Sequence, residues 1–193
     1  QPIEADLGER PVLAIVPSGS LAYLPFQALL STAPGQPDHY LIERRQVVTV
    51  LKSSDLELMP RSQLSGKGKW VGIGNPDGTL PSAQLEAQRV GALFPASTIL
   101  VGPQATRERL EPQAKGATWL HLATHGVLNS RDPNSSYLVL ANGQKLSVPD
   151  VAHLDLSGVR MVTLSACETA LGETATGSSE LTTLADAFGF AGT

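Results

Sequence analysis

From Trp70 onward, short apolar runs alternate with longer amphipathic segments, and this rhythm constrains the fold more than any other feature of the sequence. The runs that predict strands are Trp70–Gly74, Thr98–Val101, Thr118–Ala123, Tyr137–Ala141 and Val159–Ser165. The segments that predict helices are Ser82–Phe94 with Ser82 as its N-cap, Ala105–Ala114, Val148–Leu154 (a short helix or turn) and Ser179–Phe190. Strands that alternate with helices need crossover connections, which favour a mostly parallel sheet covered on both faces. The predicted fold class is therefore α/β, a three-layer αβα sandwich.

The chain before Trp70 predicts two further strands. Pro11–Pro17 is a short apolar run bounded by prolines, a pattern typical of a buried strand. Gln46–Leu51 is rich in β-branched residues and predicts another strand. Pro25 argues against a central strand or a long helix around it. Lys52–Lys69 is polar and is predicted to be an exposed connection.

Composition argues against several classes of partner. A chain of 193 residues with 41% hydrophobic residues fits one globular domain. A net charge of −4 and 5% aromatic residues disfavour nucleic acid and anionic membranes as partners. The longest apolar runs are far shorter than the roughly 20 residues that span a bilayer. The chain has one cysteine and so forms no internal disulfide, and a cytoplasmic location is the default expectation.

Two of the predicted strands run into reactive side chains. The strand Thr118–Ala123 leads to His125 and Gly126, and Val159–Ser165 leads to Cys167. In parallel sheets ligands sit beyond the carboxyl ends of the strands, so neighbouring strands would bring imidazole and thiol together there. A thiol attacks a carbonyl as thiolate, and an adjacent histidine can take its proton.

The residues around this pair suggest donors for the oxyanion, which backbone N–H groups stabilise. Gly126 has no Cβ to keep its N–H from a substrate, and the amide of Cys167 is a second donor. Each residue also has a structural reading. A lone cysteine after an apolar strand is usually a small buried hydrophobe, and a His-Gly pair at a strand end is more often a turn than a base.

The strings that contain these residues carry more information than the residues alone. They are Leu122-Ala-Thr-His125-Gly126 and Leu164-Ser-Ala-Cys167-Glu-Thr-Ala-Leu-Gly172. Weaker strings accompany them: Ile15-Val-Pro17, Leu24-Pro25-Phe26, Gly74-Asn75-Pro76, Leu80-Pro81 with Glu86, Gly102 before Ala105-Thr106, and Leu184-Ala185 with Ala187-Phe188. Together they resemble the CHAT domain, a family of bacterial and archaeal caspase-like peptidases often joined to tetratricopeptide repeats.

The resemblance implies a caspase–separase-type fold and a cysteine endopeptidase that hydrolyses peptide bonds in a protein substrate. It gives His125 the position of the base, Cys167 that of the nucleophile, and Gly126 and Cys167 those of the oxyanion donors. His121 competes for the role of base, but is interpreted as structural because the glycine follows His125. A tetratricopeptide-repeat region or a regulatory protein is an expected partner.

Further polar residues near the two strings have two readings each. Glu168 would contact the substrate or support Cys167, although a cap of the next turn is the simpler reading. Asp132 would orient the imidazole, although Asp-Pro most often makes a turn. Gly72-Ile-Gly74 lacks the spacing of a dinucleotide loop, and one cysteine with scattered histidines makes no zinc spacing, so no cofactor or metal is expected.

Two departures from the family pattern bear on function. The string Gly177-Ser-Ser-Glu180-Leu181 replaces a Gly-Glu-Gly-Leu-like string, and the family continues beyond Ala191-Gly192. The expectation is one domain over residues 1–193 without its C-terminal portion. The alternatives are a non-catalytic caspase-fold interaction or sensor module, and acyl or peptidyl transfer by the same dyad. The small polar segment Gly172–Ser179 predicts a mobile loop and a regulated activity.

Overall fold

The computed structural model describes residues 8, 10–18, 21, 24–31, 38–50, 68–129, 131–166, 184, 187–189 and 191–192. The chain divides into two compact units, Gln1–Gln63 and Leu64–Thr193. The predicted connection Lys52–Lys69 lies outside the described residues except for its last two. So do Cys167, Glu168 and the loop Gly172–Ser179, and most of the predicted helix Ser179–Phe190.

The first unit contains two pairs of short strands. Strand β1 (Val12–Ile15) pairs in parallel with β4 (Gln46–Thr49), and β2 (Leu30–Ser31) pairs antiparallel with β3 (His39–Tyr40), which leads into the one-turn helix α1 (Leu41–Arg44). The strands predicted in Pro11–Pro17 and Gln46–Leu51 are confirmed. The burial of β1 is not: its side chains alternate between exposed and half-buried, and Val12 is 50% exposed. Among the described residues β1 has a single partner strand, and a two-stranded pair covers little of its own surface.

The second unit is built on a sheet of four parallel strands. These strands are β5 (Trp70–Gly74), β6 (Ser97–Val101), β7 (Trp119–Ala123) and β11 (Met161–Ser165), in the spatial order β11-β7-β5-β6. A separate antiparallel sheet contains β8 (Gly126–Val127), β9 (Tyr137–Val139) and β10 (Lys145–Ser147). The predicted mostly parallel α/β fold is confirmed, compatible with a caspase-like sandwich.

Helices cover both faces of the parallel sheet. Helix α2 (Pro81–Gly91) lies so close to one face that a Cβ on Gly74 would be 2.7 Å from Ala83 O and 2.9 Å from Ala87 Cβ. The other face carries fully buried side chains, and α3 (Arg107–Ala114) packs there through Leu110 and Ala114. The residues of that face in the core cluster are Val71, Ile73, Leu100, Leu120 and Leu122.

The predicted N-cap of α2 is wrong by two residues. The helix begins at Pro81 with Leu80 as its N-cap, and not after Ser82. Proline fits the first helical position because its missing N–H needs no partner there. Leu80 is fixed in turn, since its N–H donates to Asn75 Oδ1 at 2.6 Å.

The crossover between β7 and β11 is more elaborate than the sequence predicts. It runs through the three strands β8, β9 and β10 and then α4 (Val148–Ala152). The predicted strand Tyr137–Ala141 ends early, at Val139, because the chain turns at Ala141–Gly143 with Asn142 at φ 58°. None of the helices in the described parts of the chain is long and apolar enough to cross a bilayer.

Candidate functional site

The two motif strands are neighbours in the sheet. Strands β7 and β11 pair in parallel, with Ala123 opposite Ser165 at their carboxyl ends. Pairing continues one residue further, because Thr124 N–H donates to Ser165 O at 3.3 Å. His125 and Cys167 each follow the last residue of their strand, Ala123 or Ser165, by two positions. The sequence left open whether the two motif strands are neighbours, and the structure shows that they are, while Cys167 itself lies outside the described residues.

The residues before and at His125 are tied to the antiparallel sheet as well. The buried hydroxyl of Thr124 donates to Val139 O at 2.7 Å, and Val139 N–H donates to His125 O at 2.9 Å. Thr124 thus donates one hydrogen bond to β11 through its amide and another to β9 through its side chain. The backbone of His125 is held between the two sheets and cannot shift without breaking these bonds.

The amide of Gly126 points away from β9. Because Val139 N–H donates to His125 O, the adjacent Gly126–Leu138 pair is a non-hydrogen-bonded pair, whose N–H groups face away from the partner strand. A Cβ on Gly126 would lie 3.5 Å from Ala166 Cβ and 3.8 Å from Leu138 Cδ2, which is ordinary contact. Gly126 therefore lies beside Ala166, the residue that precedes Cys167, with its amide outside the β9 ladder.

The imidazole of His125 is partly open to solvent and contacts a loop from another strand. Its side chain is 22% exposed. Its Nε2 atom lies 2.7 Å from Thr79 Oγ1 and 3.8 Å from Asp77 Oδ2. Both residues belong to the loop between β5 and α2, so the strand next to β7 supplies the surroundings of the ring.

Asn75 fixes the shape of that loop. It adopts a left-handed conformation with φ 52°, which asparagine tolerates better than most residues. Its N–H donates to Ala123 O at 3.1 Å, and its side-chain oxygen accepts the Leu80 N–H. Asn75 therefore links the end of β5 to the end of β7, and it closes the loop that presents Asp77 and Thr79.

Asp77 is held as a carboxylate by its own turn. Its Oδ1 accepts the Thr79 N–H at 3.1 Å and the Thr79 hydroxyl at 2.8 Å. Burial alone would raise the pKa of Asp77, but these hydrogen bonds and the nearby His125 imidazole hold it below its ordinary value. A negative charge therefore stands close to the His125 ring.

His121 and Asp132, which the sequence also singled out, make other contacts. His121 is buried under α2, where it stacks on Trp70 with ring centroids 5.7 Å apart. Glu86 Oε1 lies 2.9 Å from His121 Nε2, but the two atoms are not aligned for a hydrogen bond. Asp132 lies in a turn, where its N–H donates to Asn129 Oδ1 at 3.1 Å. Glu168 lies outside the described residues.

The sequence interpretation missed Asp77 and Thr79 as neighbours of His125. The available signal was general: in a parallel α/β sheet the loop that follows a neighbouring strand lies at the same edge as the residues that follow β7. The mostly parallel sheet with helices on both faces defines an α/β protein and is compatible with a caspase-like sandwich.

The family follows from a comparison with family models. The CHAT domain model matches residues 1–193, the whole chain, which therefore belongs to the CHAT domain family. This family is related to caspase-like peptidases. A comparison with curated proteins finds no match.

Proposed function

We propose that this chain is a cysteine endopeptidase in which Cys167 is the nucleophile and His125 its base. One observation carries the proposal: β7 and β11 are paired in parallel with Ala123 opposite Ser165, so the His125 and Cys167 strings leave adjacent strands at one edge. A thiol and an imidazole need such proximity for proton transfer. Membership in a family related to caspase-like peptidases supports the same assignment.

The proposed reaction has two halves. The His125 imidazole takes the Cys167 proton, and the sulfur attacks the scissile carbonyl carbon while the C=O electron pair moves to oxygen. The oxyanion collapses and expels the amine, which takes the proton from the imidazolium and leaves a thioester. Water then loses a proton to His125 and attacks the thioester, and the acid leaves as the thiol re-forms.

The oxyanion needs preorganised donors, and removal of one such donor costs about 10²–10³ in kcat. Gly126 supports this part of the proposal, because its amide takes no part in the β9 ladder and lies beside Ala166. The Cys167 amide is the second proposed donor. The partial exposure of the His125 ring is what a base needs if it is to meet a protein substrate.

We place this activity in the cytoplasm, with a protein as substrate and a tetratricopeptide-repeat region or a regulatory protein as partner. The single cysteine supports a reducing compartment, since the chain needs no internal disulfide.

The proposal is tested with a peptidyl acyloxymethyl ketone and with a peptide library read by mass spectrometry. Wild-type protein is expected to be labelled at Cys167 and to cleave library peptides. Cys167→Ala is expected to lose both, and His125→Ala to lose cleavage and most of the labelling. Labelling that is equal in wild type and His125→Ala, with no cleavage by either, would support the non-catalytic interaction module instead.

A further inference from the structure

We propose that Asp77 and Thr79 are a positioning pair that keeps a proton on Nε2 of His125 and so leaves Nδ1 as the atom that accepts the Cys167 proton. The inference deepens the proposed peptidase function and rests on it for its catalytic consequence. The position of the proton on the ring can be measured without any substrate.

The proton count around Thr79 gives the direction of each hydrogen bond. The hydroxyl oxygen lies 2.8 Å from Asp77 Oδ1 and 2.7 Å from His125 Nε2. A hydroxyl has one proton to donate, and an ionised carboxylate only accepts. The Thr79 proton therefore goes to Asp77, and the remaining lone pair of Oγ1 accepts a hydrogen bond from a protonated Nε2.

The charge near the ring favours the same tautomer. Asp77 Oδ2 lies 3.8 Å from Nε2, on the side of the ring that faces the loop. A carboxylate at this distance stabilises an N–H there over a bare lone pair. It also stabilises the imidazolium that forms when His125 takes a proton. The hydrogen bonds that hold the pKa of Asp77 low keep the carboxylate ionised at neutral pH.

Backbone hydrogen bonds fix the loop that carries Asp77 and Thr79 beside the His125 ring. Asn75 N–H donates to Ala123 O at 3.1 Å, and Gly78 N–H donates to Asn75 O at 3.3 Å. The strand that precedes the loop and the strand that precedes His125 are thus joined at their ends. Thr79 is presented to the ring by a closed turn and not by a free surface segment.

A simpler reading is that Asp77 and Thr79 only cap their own turn. In that reading the contact with Nε2 is incidental, because both residues lie on an exposed loop. A capping role predicts that substitutions change stability and leave the imidazole tautomer as it was. The two readings differ in what they say about the ring, so a measurement on the ring separates them.

The experiment is ¹⁵N NMR of the histidine rings at alkaline pH, where imidazoles are neutral. The chain has four histidines, and His125→Ala assigns the signals of interest. Wild type is expected to show the Nε2–H tautomer at His125. Thr79→Val, which keeps the shape but removes the hydroxyl, and Asp77→Asn, which removes the charge, are expected to shift population to Nδ1–H. Thr79→Ser is expected to retain the wild-type tautomer.

Kinetics supply the second readout. With a peptide that the wild type cleaves, Thr79→Val and Asp77→Asn are expected to lower kcat about 10- to 100-fold with little change in KM, because a hydrogen bond to a charged group is lost near the base. Thr79→Ser should restore most of kcat. Asp132→Asn tests the other carboxylate that the sequence offered as a partner of the imidazole, and its effect should be smaller than that of Asp77→Asn.

An Nδ1–H tautomer in wild type, or an unchanged tautomer in Thr79→Val, would overturn the inference. If the wild type has the Nε2–H tautomer but cleaves no peptide, the positioning role of Asp77 and Thr79 is supported and the proposed peptidase activity is contradicted. Thermal melts of each variant separate loss of folding from loss of positioning.

Discussion

Replacement of Asp150 with asparagine is expected to destabilise the crossover that joins the two motif strands. Asp150 accepts hydrogen bonds from Nη1 and Nη2 of Arg107, each at 2.7 Å. It also accepts the Ser147 N–H at 2.9 Å, while Ser147 caps α4 in return. One carboxylate thus connects α3, the end of β10 and the start of α4.

The magnitude follows from these bonds. The Ser147 hydroxyl can still accept the backbone N–H of residue 150 in the variant, so the cost comes mainly from the bonds to Arg107; loss of a hydrogen bond to a charged group costs about 1.5–3 kcal/mol. The Arg107 and Asp150 side chains are 32% and 29% exposed, so solvent screening reduces this contribution. We expect a total loss of about 2 kcal/mol, or roughly 4–8 °C in Tm for a chain of this size.

The dependence of stability on pH in the acidic range should change as well. Hydrogen bonds from Arg107 hold the pKa of Asp150 well below its ordinary value, against the opposing effect of burial, and Ser147 adds to the lowering. A carboxyl with a lowered folded pKa contributes stability above its unfolded pKa of about 3.9 and loses it as the pH falls towards the folded value. Asp150→Asn should therefore unfold with a flatter pH dependence below about pH 4.

Thermal melts between pH 2 and pH 7 measure both effects. Asp155→Asn is the matched control, because the Lys115–Asp155 pair, at 3.2 Å, is 71% and 49% exposed and should matter less. Equal Tm changes in the two variants would refute the reasoning. So would a Tm of Asp150→Asn that depends on pH below about pH 4 as steeply as that of the wild type.

Three further substitutions test the packing around the site by thermal melts. Gly74→Ala should lose about 1–3 kcal/mol, because its Cβ would lie 2.7 Å from the Ala83 carbonyl oxygen, and a stable variant would contradict the close approach of α2. Gly126→Ala should have a Tm close to that of the wild type, since its Cβ makes only ordinary contacts. It should cleave peptides more slowly, because the added methyl group faces Ala166. A large drop in Tm would contradict the described contacts of Gly126. Leu122→Ala should lose about 2–5 kcal/mol from the fully buried core, and a loss below about 1 kcal/mol would show that the core is looser than described.

The central strands could be predicted from the sequence almost to the residue. Trp70–Gly74 and Thr118–Ala123 are apolar runs, and strands of a parallel sheet covered on both faces have that pattern. The strands Gly126–Val127 and Lys145–Ser147 escaped prediction, because two or three residues are too few to show a period. Their pairing is set by β9, which a local pattern does not reveal.

The site could be predicted only in part. The strings around His125 and Cys167 are local, and the parallel alternation of elements predicted that they leave one edge of the sheet. Asp77 and Thr79 are different, because Thr79 lies 46 residues before His125 and meets it only through the pairing of β5 with β7. The sequence offered Asp132 as a possible partner of the imidazole because it follows His125 closely along the chain, and proximity along the chain is a weaker guide than proximity in the sheet.

The most direct test of the His125–Cys167 assignment is the pH dependence of the reaction with iodoacetamide. The chain has one cysteine, so every alkylation event reports on Cys167. A free thiol has a pKa of about 8.5, and a neighbouring histidine lowers it. We predict that wild type reacts at full rate well below pH 8.5 and that His125→Ala returns the midpoint to about that value. Identical profiles with a midpoint near 8.5 in both proteins would contradict the account.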